Sequence, residues 1–309
     1  MRVLRGVPAA PEGPIALTIG NFDGVHIGHQ AMLRRLKQNA QARGLPLCVM
    51  IFEPQPREFF FPHAAAPRLS SLREKLELLR PCSVDRVYVC RFDRAFSTLS
   101  ADSFVHELLR ARLDTRWLLV GEDFRFGARR SGDVALLKNI ASSLAMDISV
   151  MESVSWRGIR VSSTVVREAL ERGNLEQAEG LLGRAYSISG RVVHGEKLGR
   201  ALGFPTANVQ LKRRRAPLAG IFAVKLCGVG EEGLRGVASL GTRPTVSDDG
   251  KATLEVHLFD FDAQIYGLHV SVQFLYKLRD EQRYADLDTL ARQIQADADH
   301  ARRYFSTRT

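Results

Sequence analysis

Up to about residue 180, short apolar runs alternate with segments in which apolar residues recur at helical spacing. Short apolar runs are typical of strands buried on both faces, and the wider spacing is typical of helices that pack through one face. Alternation of the two patterns predicts an α/β fold in which helices cover both faces of a parallel sheet. The predicted strands are Ile15–Gly20, Leu47–Phe52, Arg86–Cys90, Trp117–Gly121 and Ile148–Glu152.

The helices predicted between these strands have recognisable ends. Ser71 and Glu74 form a capping-box pattern, and Gly44 follows the last apolar position of the first helix. Ligands of such sheets bind outside the carboxyl ends of the strands, so the loops that follow the strands should carry the chemistry. The helices are expected after His29, from Ser71 to Pro81, from about Ser100 to Leu113 and after Asp133.

The pattern changes after Arg184. Strand-like segments separated by Gly, Pro and Asp turns follow one another, and no helical spacing appears until Asp286–Tyr304. This order predicts a small antiparallel barrel followed by a terminal helix, and hence two domains, 1–184 and 185–309. The predicted barrel strands are Tyr186–Val193, Ile221–Cys227, Leu234–Leu240, Leu254–Asp260 and Leu268–Tyr276.

The composition adds limits to this picture. Of 309 residues, 45% are hydrophobic and 25% charged, as in an ordinary globular protein of two domains. No apolar run is long enough to span a bilayer, and the first residues lack the apolar stretch of a signal peptide. The widely spaced Cys48, Cys82, Cys90 and Cys227 form no CxxC pair, which disfavours a disulfide framework or a zinc ribbon. We therefore expect a cytoplasmic protein with no membrane partner.

The net charge of +10 fits either a nucleic-acid-binding protein or an enzyme whose ligands are phosphorylated. The densest basic run, Lys212–Arg215, has no interleaved aromatic residues. We interpret it as a solvated loop and expect no nucleic-acid partner.

The segment Gly20–Gln30 places two histidines and three glycines where a strand leads into a helix. Gly24 and Gly28 let the backbone approach a ligand, and the free N–H groups of a helix start attract anions. His26 and His29 can donate hydrogen bonds to phosphate oxygens, so the segment predicts a nucleotide-phosphate site. The alternatives are a surface histidine pair or half of a metal site, but no further ligand residue is nearby.

A second segment could complete such a site. Ser162, Ser163 and Thr164 stand at the predicted start of a helix, and Arg167 lies one turn further on. Hydroxyls, helix N–H groups and a guanidinium together form a phosphate clamp. Taken alone, the same residues are a plain helix cap.

The second half carries its own candidates. Thr206 and Asn208, in the turn Gly203–Asn208, offer the oxygen ligands that Mg²⁺ prefers, although Pro, Thr and Asn are also common turn formers. Strand alternation places Glu255 and His257 on one face, where they would form either a site or a solvated surface.

Nine segments, in this order, resemble the bacterial bifunctional riboflavin kinase/FMN adenylyltransferase family, also called FAD synthetases. One such motif would be weak evidence, whereas nine that span nearly the whole chain are specific. The segments are TIGNFDGVHIGHQ, FEPQPREFF, RLSSLREK, VGEDFRFG, VSSTVVREAL, GRVVHGEKLGRALGFPTANV, GTRPTV, LEVHLFDF and KLRDE.

The resemblance implies a nucleotidylyltransferase-type, Rossmann-like first domain with an HxGH motif. This domain would transfer AMP from ATP to FMN, giving FAD and pyrophosphate, with His26, His29 and Arg167 as the catalytic residues. The implied phosphate-binding residues are Gly20, Phe22, Gly24, Gly28, Ser163 and Thr164, and the implied flavin-binding residues are Pro54, Pro56, Asp123, Phe124 and Phe126. Phe59, Phe60 and Phe61 adjoin this set, and we expect core packing for at least two of them because adjacent residues cannot share one face.

For the second domain the resemblance implies a riboflavin kinase that converts riboflavin and ATP to FMN and ADP. Glu255 would be the base, and Thr206 and Asn208 would bind Mg²⁺. Gly195, Gly203 and Asn208 would contact ATP, and Gly195–Gly203 and Gly241–Thr245 look like flaps that close over the ligands. Arg279 would contact the flavin or form a surface ion pair.

Three alternatives remain at this stage. An aminoacyl-tRNA synthetase also opens with HIGH, but it needs a lysine-rich KMSKS-type loop that is not found here. A non-catalytic nucleic-acid-binding protein with an OB-like barrel would carry aromatic residues alternating with basic ones on exposed strands. A family member with only one active site would look the same in a single sequence.

Overall fold

The chain folds into two compact units, each built from two stretches of sequence. The α/β unit comprises Met1–Ala66 and Lys75–Val161, and the barrel unit comprises Pro67–Glu74 and Ser162–Thr309. The structure is a computed structural model that describes residues 1–195, 199, 202–213, 215–242 and 252–307. Each unit is described by itself.

The α/β unit contains a six-stranded sheet in which every neighbouring pair is parallel. The order β1-β4-β3-β2-β5-β6 places β2 between β3 and β5, so the chain crosses to the other side of β2 on its way from β4 to β5. Ligands of open parallel sheets bind at such a point, outside the carboxyl ends. The strands are β1 (Arg2–Arg5), β2 (Ile15–Ile19), β3 (Leu47–Glu53), β4 (Arg86–Arg91), β5 (Thr115–Gly121) and β6 (Asp147–Met151).

The five strands expected in this sheet are present, and β2 is buried at every residue. We did not predict β1, because its sequence RVLR is charged at both ends and three of its four residues are exposed. It is an edge strand that pairs with β4 alone. The fold class expected from the alternation of runs is confirmed.

Helices occupy the connections between the strands. The first begins at Ile27, two residues earlier than we expected, because His26 itself caps it. The capping box of Ser71 and Glu74 is present, with the N–H of Ser71 donating to Oε2 of Glu74 over 2.6 Å. The helices are α1 (Ile27–Ala42), α2 (Pro56–Phe60), α3 (Leu72–Leu79), α4 (Arg94–Ser97), α5 (Ala101–Ser103, continued by a π-helical stretch Phe104–Arg112) and α6 (Val134–Ala141). A small hairpin of β7 (Ser155–Trp156) and β8 (Ile159–Arg160) follows the sheet.

The barrel unit contains a closed antiparallel barrel of six strands in the order β10-β13-β12-β11-β14-β9. Closure leaves no free sheet edge. The strands are β9 (Tyr186–Val193), β10 (Thr206–Gln210), β11 (Gly220–Cys227), β12 (Leu234–Thr242), β13 (Ala252–Leu258) and β14 (His269–Arg279), and the helices are α7 (Ser163–Glu171), α8 (Leu175–Leu182) and α9 (Leu287–Ser306).

The barrel confirms the predicted antiparallel architecture and terminal helix, and it corrects one detail. Thr206–Asn208, which we interpreted as part of a turn, begins strand β10. Alternation in β13 is as expected, since Leu254, Val256 and Leu258 are buried whereas Glu255 and His257 are only half-buried. The terminal helix α9 packs on the barrel through Ala298 and Ala301. None of the helices in the described ranges has both the length and the apolar character that a membrane span requires.

A buried ion pair connects the short stretch Pro67–Glu74 to the rest of the barrel unit. Arg213 and Glu74 form this pair, and the guanidinium side chain is only 4% exposed. Glu74 also accepts a hydrogen bond from the N–H of Ser189 over 2.6 Å, and Arg213 donates to the Tyr186 hydroxyl over 3.0 Å. Our interpretation of the basic run as a solvated loop is therefore wrong for Arg213, although Lys212 is exposed.

We expect the substitution Glu74→Ala to lower the free energy of unfolding by about 3–5 kcal/mol, because it leaves the Arg213 charge buried without its carboxylate. Urea-induced unfolding measures this loss. The matched control is Arg302→Ala, which removes an exposed ion pair with Asp260 and should cost about 1 kcal/mol or less. Equal losses in the two variants would contradict a structural role for the buried pair.

Candidate active sites

The loop after β2 turns sharply before it enters α1. Phe22, Gly24 and Val25 all have positive φ angles, of 47°, 79° and 40°. The Phe22 side chain is buried, and its ring lies 4.7 Å from the His29 ring, centroid to centroid. The loop therefore brings its first aromatic ring against the second histidine of the motif.

His26 is the N-cap of α1, and this contact sets its tautomer. Its Nδ1 accepts a hydrogen bond from the backbone N–H of His29 over 3.3 Å. An accepting nitrogen carries no proton, so the single proton of a neutral His26 ring lies on Nε2. Gly28 allows this arrangement, because a Cβ at that position would lie 3.1 Å from Nδ1 of His26.

The two imidazole rings stack on each other, with centroids 3.6 Å apart and planes inclined by 16°. Burial lowers the pKa of His29 well below its usual value, and the neighbouring His26 and Lys75 lower it further. His29 is therefore neutral at pH 7. Its Nδ1 is buried and has no hydrogen-bond partner among the described residues. Buried polar atoms are normally paired, so this nitrogen points to a ligand.

The other residues expected in the first site follow the neighbouring strands. Pro54 and Pro56 follow β3, and Asp123, Phe124 and Phe126 follow β5. The strands β3, β2 and β5 are adjacent and parallel, so these residues lie at the same edge of the sheet as the histidine loop. Phe126 is buried in the core, Phe124 stacks on it at 5.6 Å, and Asp123 forms an exposed ion pair with Arg160.

Sequence reasoning missed Gln55, which lies between the two prolines. Its side chain is buried, with the residue 8% exposed, and its Nε2 has no hydrogen-bond partner among the described residues. Its backbone is fully engaged, because the N–H donates to Glu58 Oε2 over 2.9 Å and the carbonyl accepts from the Glu58 N–H. No sequence pattern separates such an amide from an exposed one. It is a second donor at this edge of the sheet that lacks a partner in the described residues.

The expectation for the three adjacent phenylalanines is wrong. We assigned at least two of them to the core, but Phe60 is 53% and Phe61 60% exposed. Phe59 packs against Phe92, with centroids 5.5 Å apart. Phe60 is the last residue of α2 and Phe61 is its C-cap, so both stand where the short helix ends and are mostly exposed.

The second phosphate segment belongs to the barrel unit. Ser162 caps α7 by accepting from the N–H of Val165 over 3.3 Å, which leaves Ser163 and Thr164 in the first turn. Nε of Arg167 donates to the Pro67 carbonyl over 2.6 Å. The role of Ser163, Thr164 and Arg167 in binding phosphates stays a prediction.

In the barrel, strand register brings the kinase candidates together. Asn208 of β10 lies directly opposite Glu255 of β13, which in turn lies opposite Ser239 of β12. Directly opposed residues have side chains on one face, about 5 Å apart at Cβ. Gly195 approaches the Asn208 amide so closely that a Cβ would lie 2.2 Å from Nδ2, and Gly203 has a φ of 88°.

Arg279 forms an ion pair, as one alternative expected, but its partner Asp297 is buried, so the pair is not a surface one. Its Nε and Nη2 donate to the two carboxylate oxygens of Asp297 on α9, over 2.8 and 2.6 Å. A contact between Arg279 and a flavin stays a prediction. The two predicted flaps lie partly outside the described residues, since neither 196–198 and 200–201 nor 243–250 is described.

The donors in the barrel suit Mg²⁺ that arrives with a nucleotide better than a resident metal. Thr206 and Asn208 supply neutral oxygens, and Glu255 is the carboxylate beside them. Among the described residues, no group of three or more His, Cys, Asp or Glu side chains could hold a metal ion. Mg²⁺ commonly takes few protein ligands and completes its shell with water and substrate phosphates.

A parallel sheet with stacked imidazoles at its switch point, together with a barrel that pairs a carboxylate with an amide, defines an enzyme that acts on phosphorylated ligands. The model of the FAD synthetase family matches residues 9–165, and that of the riboflavin kinase family matches residues 182–305. The chain belongs to the family of bifunctional riboflavin kinase/FMN adenylyltransferases.

Relatives that carry this name match along the full length of the chain. The protein of Escherichia coli K12 is 49% identical over 99% of this chain and 98% of its own. That of Pseudomonas fluorescens is 48% identical over 98% and 97%. A solved structure described as a macrolide-efflux protein from Streptococcus pneumoniae superposes with a TM-score of 0.83 at 29% identity, covering 98% of this chain and 99% of that one. Because the family match covers both halves of the chain, it removes two alternatives: an aminoacyl-tRNA synthetase and a non-catalytic nucleic-acid-binding protein.

The pKa of His29 predicts a pH dependence of stability. An unfolded histidine has a pKa of about 6.5, and the folded value lies below it, so the unfolded chain takes up this proton first as the pH falls. The free energy of unfolding should therefore decrease below about pH 6.5. The variant His29→Leu should show a smaller difference between urea unfolding at about pH 7.5 and about pH 5.5. An unchanged difference would contradict the assignment.

The unpaired amide of Gln55 predicts opposite effects on stability and binding. We expect Gln55→Met to raise the free energy of unfolding of the ligand-free protein by about 1 kcal/mol, and with it the melting temperature. The reason is that the change removes a buried donor that lacks a partner in the described residues. The same change should raise KM for ATP or FMN in adenylyl transfer. The matched control is Gln30→Met, which removes an amide bonded to the Val25 carbonyl over 2.9 Å and should lower the melting temperature. A lower melting temperature for both variants would contradict the interpretation.

Proposed function

We propose that this chain carries out both reactions named for its relatives. Residues 185–309 phosphorylate riboflavin with ATP, giving FMN and ADP. Residues 1–184 transfer AMP from a second ATP to FMN, giving FAD and pyrophosphate. The observation that carries the proposal is the match of one family model to each of these parts, in a chain that aligns with bifunctional relatives from end to end.

In the kinase reaction, Glu255 accepts the proton of the ribityl 5′-hydroxyl while the hydroxyl oxygen attacks the γ-phosphorus of ATP and ADP leaves. The register between β10 and β13 supports this role, because it puts the Glu255 carboxylate beside Asn208. Thr206 and Asn208 are the residues that would hold Mg²⁺, whose charge offsets that of the ATP phosphates. Gly195 and Gly203 give the phosphates room to approach the backbone.

In the adenylyl transfer, a phosphate oxygen of FMN attacks the α-phosphorus of ATP, and the α–β bond to pyrophosphate breaks. No protein nucleophile is required, so the residues act by positioning and by hydrogen bonding to the growing negative charge. The Nε2–H of His26 and the ring N–H of the neutral His29 supply hydrogen-bond donors to the phosphates. Pro54, Pro56, Phe124 and Gln55 border the flavin and adenine positions.

ATP and FMN carry phosphate groups, and riboflavin acquires one in the kinase reaction. Binding of these anions accounts for a net charge of +10 without a nucleic-acid partner. The ligands of the protein are therefore riboflavin, FMN, FAD, ATP, ADP and pyrophosphate. We place the enzyme in the cytoplasm, where free ATP and reduced cysteines are the rule.

Chromatography of an incubation with riboflavin, ATP and Mg²⁺ tests the proposal. We expect FMN to appear first and FAD to follow. Glu255→Gln should lower the kinase rate by about 10²–10⁴-fold and leave conversion of added FMN to FAD intact. His29→Leu should lower FAD formation by about 10²–10³-fold and leave the kinase intact.

Loss of both activities in either variant, while the protein stays folded, would contradict the assignment of one site to each part. FMN that accumulates in the unsubstituted protein without FAD would mean that only the kinase site is active.

A further inference from the structure

His257 makes a side-chain contact that the two reactions described above do not account for. It follows Glu255 by two residues on β13 and shares its outward face. Its Nδ1 lies 3.0 Å from the carbonyl oxygen of Pro205. A carbonyl oxygen can only accept, so Nδ1 carries the ring proton and donates it to Pro205.

Two aromatic rings hold the imidazole in this orientation. Phe204 meets the His257 ring edge to face at 5.5 Å, and Phe259 does so at 5.9 Å. Such contacts leave few rotamers open to the ring, because edge-to-face packing is directional. The hydrogen bond to Pro205 is thus made by a side chain that is already oriented.

The hydrogen bond lies where the ladder between β10 and β13 stops. His257 is directly opposite Thr206, the first residue of β10, and the pairing runs from there to Val209. Pro205 has no N–H and cannot extend the ladder as a donor. Before it, the chain turns through Gly203, and the Phe204 N–H bonds back to Gly199 over 2.7 Å. The His257 side chain therefore holds Pro205, the residue immediately before the strand begins.

We propose that His257 is a positioning residue of the riboflavin kinase site, whose Nδ1–H fixes Pro205 and so directs Thr206 and Asn208 toward the face that carries Glu255. The inference rests on the assignment of Thr206 and Asn208 proposed above. Without this bond Pro205 loses its side-chain contact with β13, and the Thr206 hydroxyl next to it is the first group to lose its direction.

Three variants distinguish the hydrogen bond of His257 from its aromatic packing. His257→Phe keeps the aromatic packing and removes the donor. His257→Asn replaces the donor near the position of Nδ1, and His257→Gln places its amide near Nε2 instead. We expect Mg·ADP to bind about tenfold more weakly to the Phe and Gln variants, about 1.4 kcal/mol by calorimetry, and within about threefold of the unsubstituted protein in the Asn variant.

Kinetics should show the same division. In His257→Phe, KM for ATP and the Mg²⁺ concentration for half-maximal kinase rate should each rise about tenfold, in step with the weaker binding. Adenylylation of added FMN, which does not involve this residue, should be unchanged and reports that the protein is intact. A general loss of folding would lower the melting temperature of all three variants alike and would not be rescued by Asn.

The tautomer can be read without any variant. The ¹⁵N shifts of the imidazole in ligand-free protein should show a protonated Nδ1 for His257. A proton on Nε2 instead, unchanged Mg·ADP binding in His257→Phe, or failure of Asn to restore binding would each overturn the proposal.

The variant Thr206→Val separates this inference from the site assignment on which it rests. If Thr206→Val binds Mg·ADP as tightly as the unsubstituted protein, the assignment of the site itself fails. If Thr206→Val weakens binding and His257→Phe does not, only the role of His257 fails.

Discussion

The cross-strand register between β10 and β13 is the constraint on which the kinase site depends. Side chains in a strand alternate between faces, so a shift of one residue would turn Glu255 into the barrel and Val256 out of it. Burial of Leu254, Val256 and Leu258 makes that shift costly, because three apolar side chains would enter water together. The same apolar residues that form the barrel core therefore also set the direction of the Glu255 carboxylate.

The α/β unit holds its reactive groups by a different means. Its loop after β2 has no cross-strand partner, so the histidines are placed by the start of a helix and by each other's rings. The parallel order of β3, β2 and β5 then brings the segments that follow these strands to one edge. One unit thus builds its candidate site from a strand ladder and the other builds it from a loop.

Sequence patterns predicted the elements whose burial is regular and failed where local chemistry dominates. The continuous apolar runs of β2 and β3 allowed only a buried strand, and the alternation in β13 fixed the face of Glu255. The segment Thr206–Gln210 was missed as a strand because Pro, Thr and Asn favour turns, and only pairing on both sides extends it. Sequence motifs predicted most residues of the candidate sites. The interest of Gln55 and His257 became visible only from the hydrogen bonding in the structure, which a sequence does not display.

His26 has a further consequence for how this loop can change. The ring that caps the helix is also the ring that stacks on His29, so the cap and the stack cannot change through separate substitutions. Asn or Ser at this position would keep the helix start and give up the aromatic stack, and an aromatic residue would do the reverse. Selection on the start of the helix and selection on the stacked imidazoles therefore act on the same side chain.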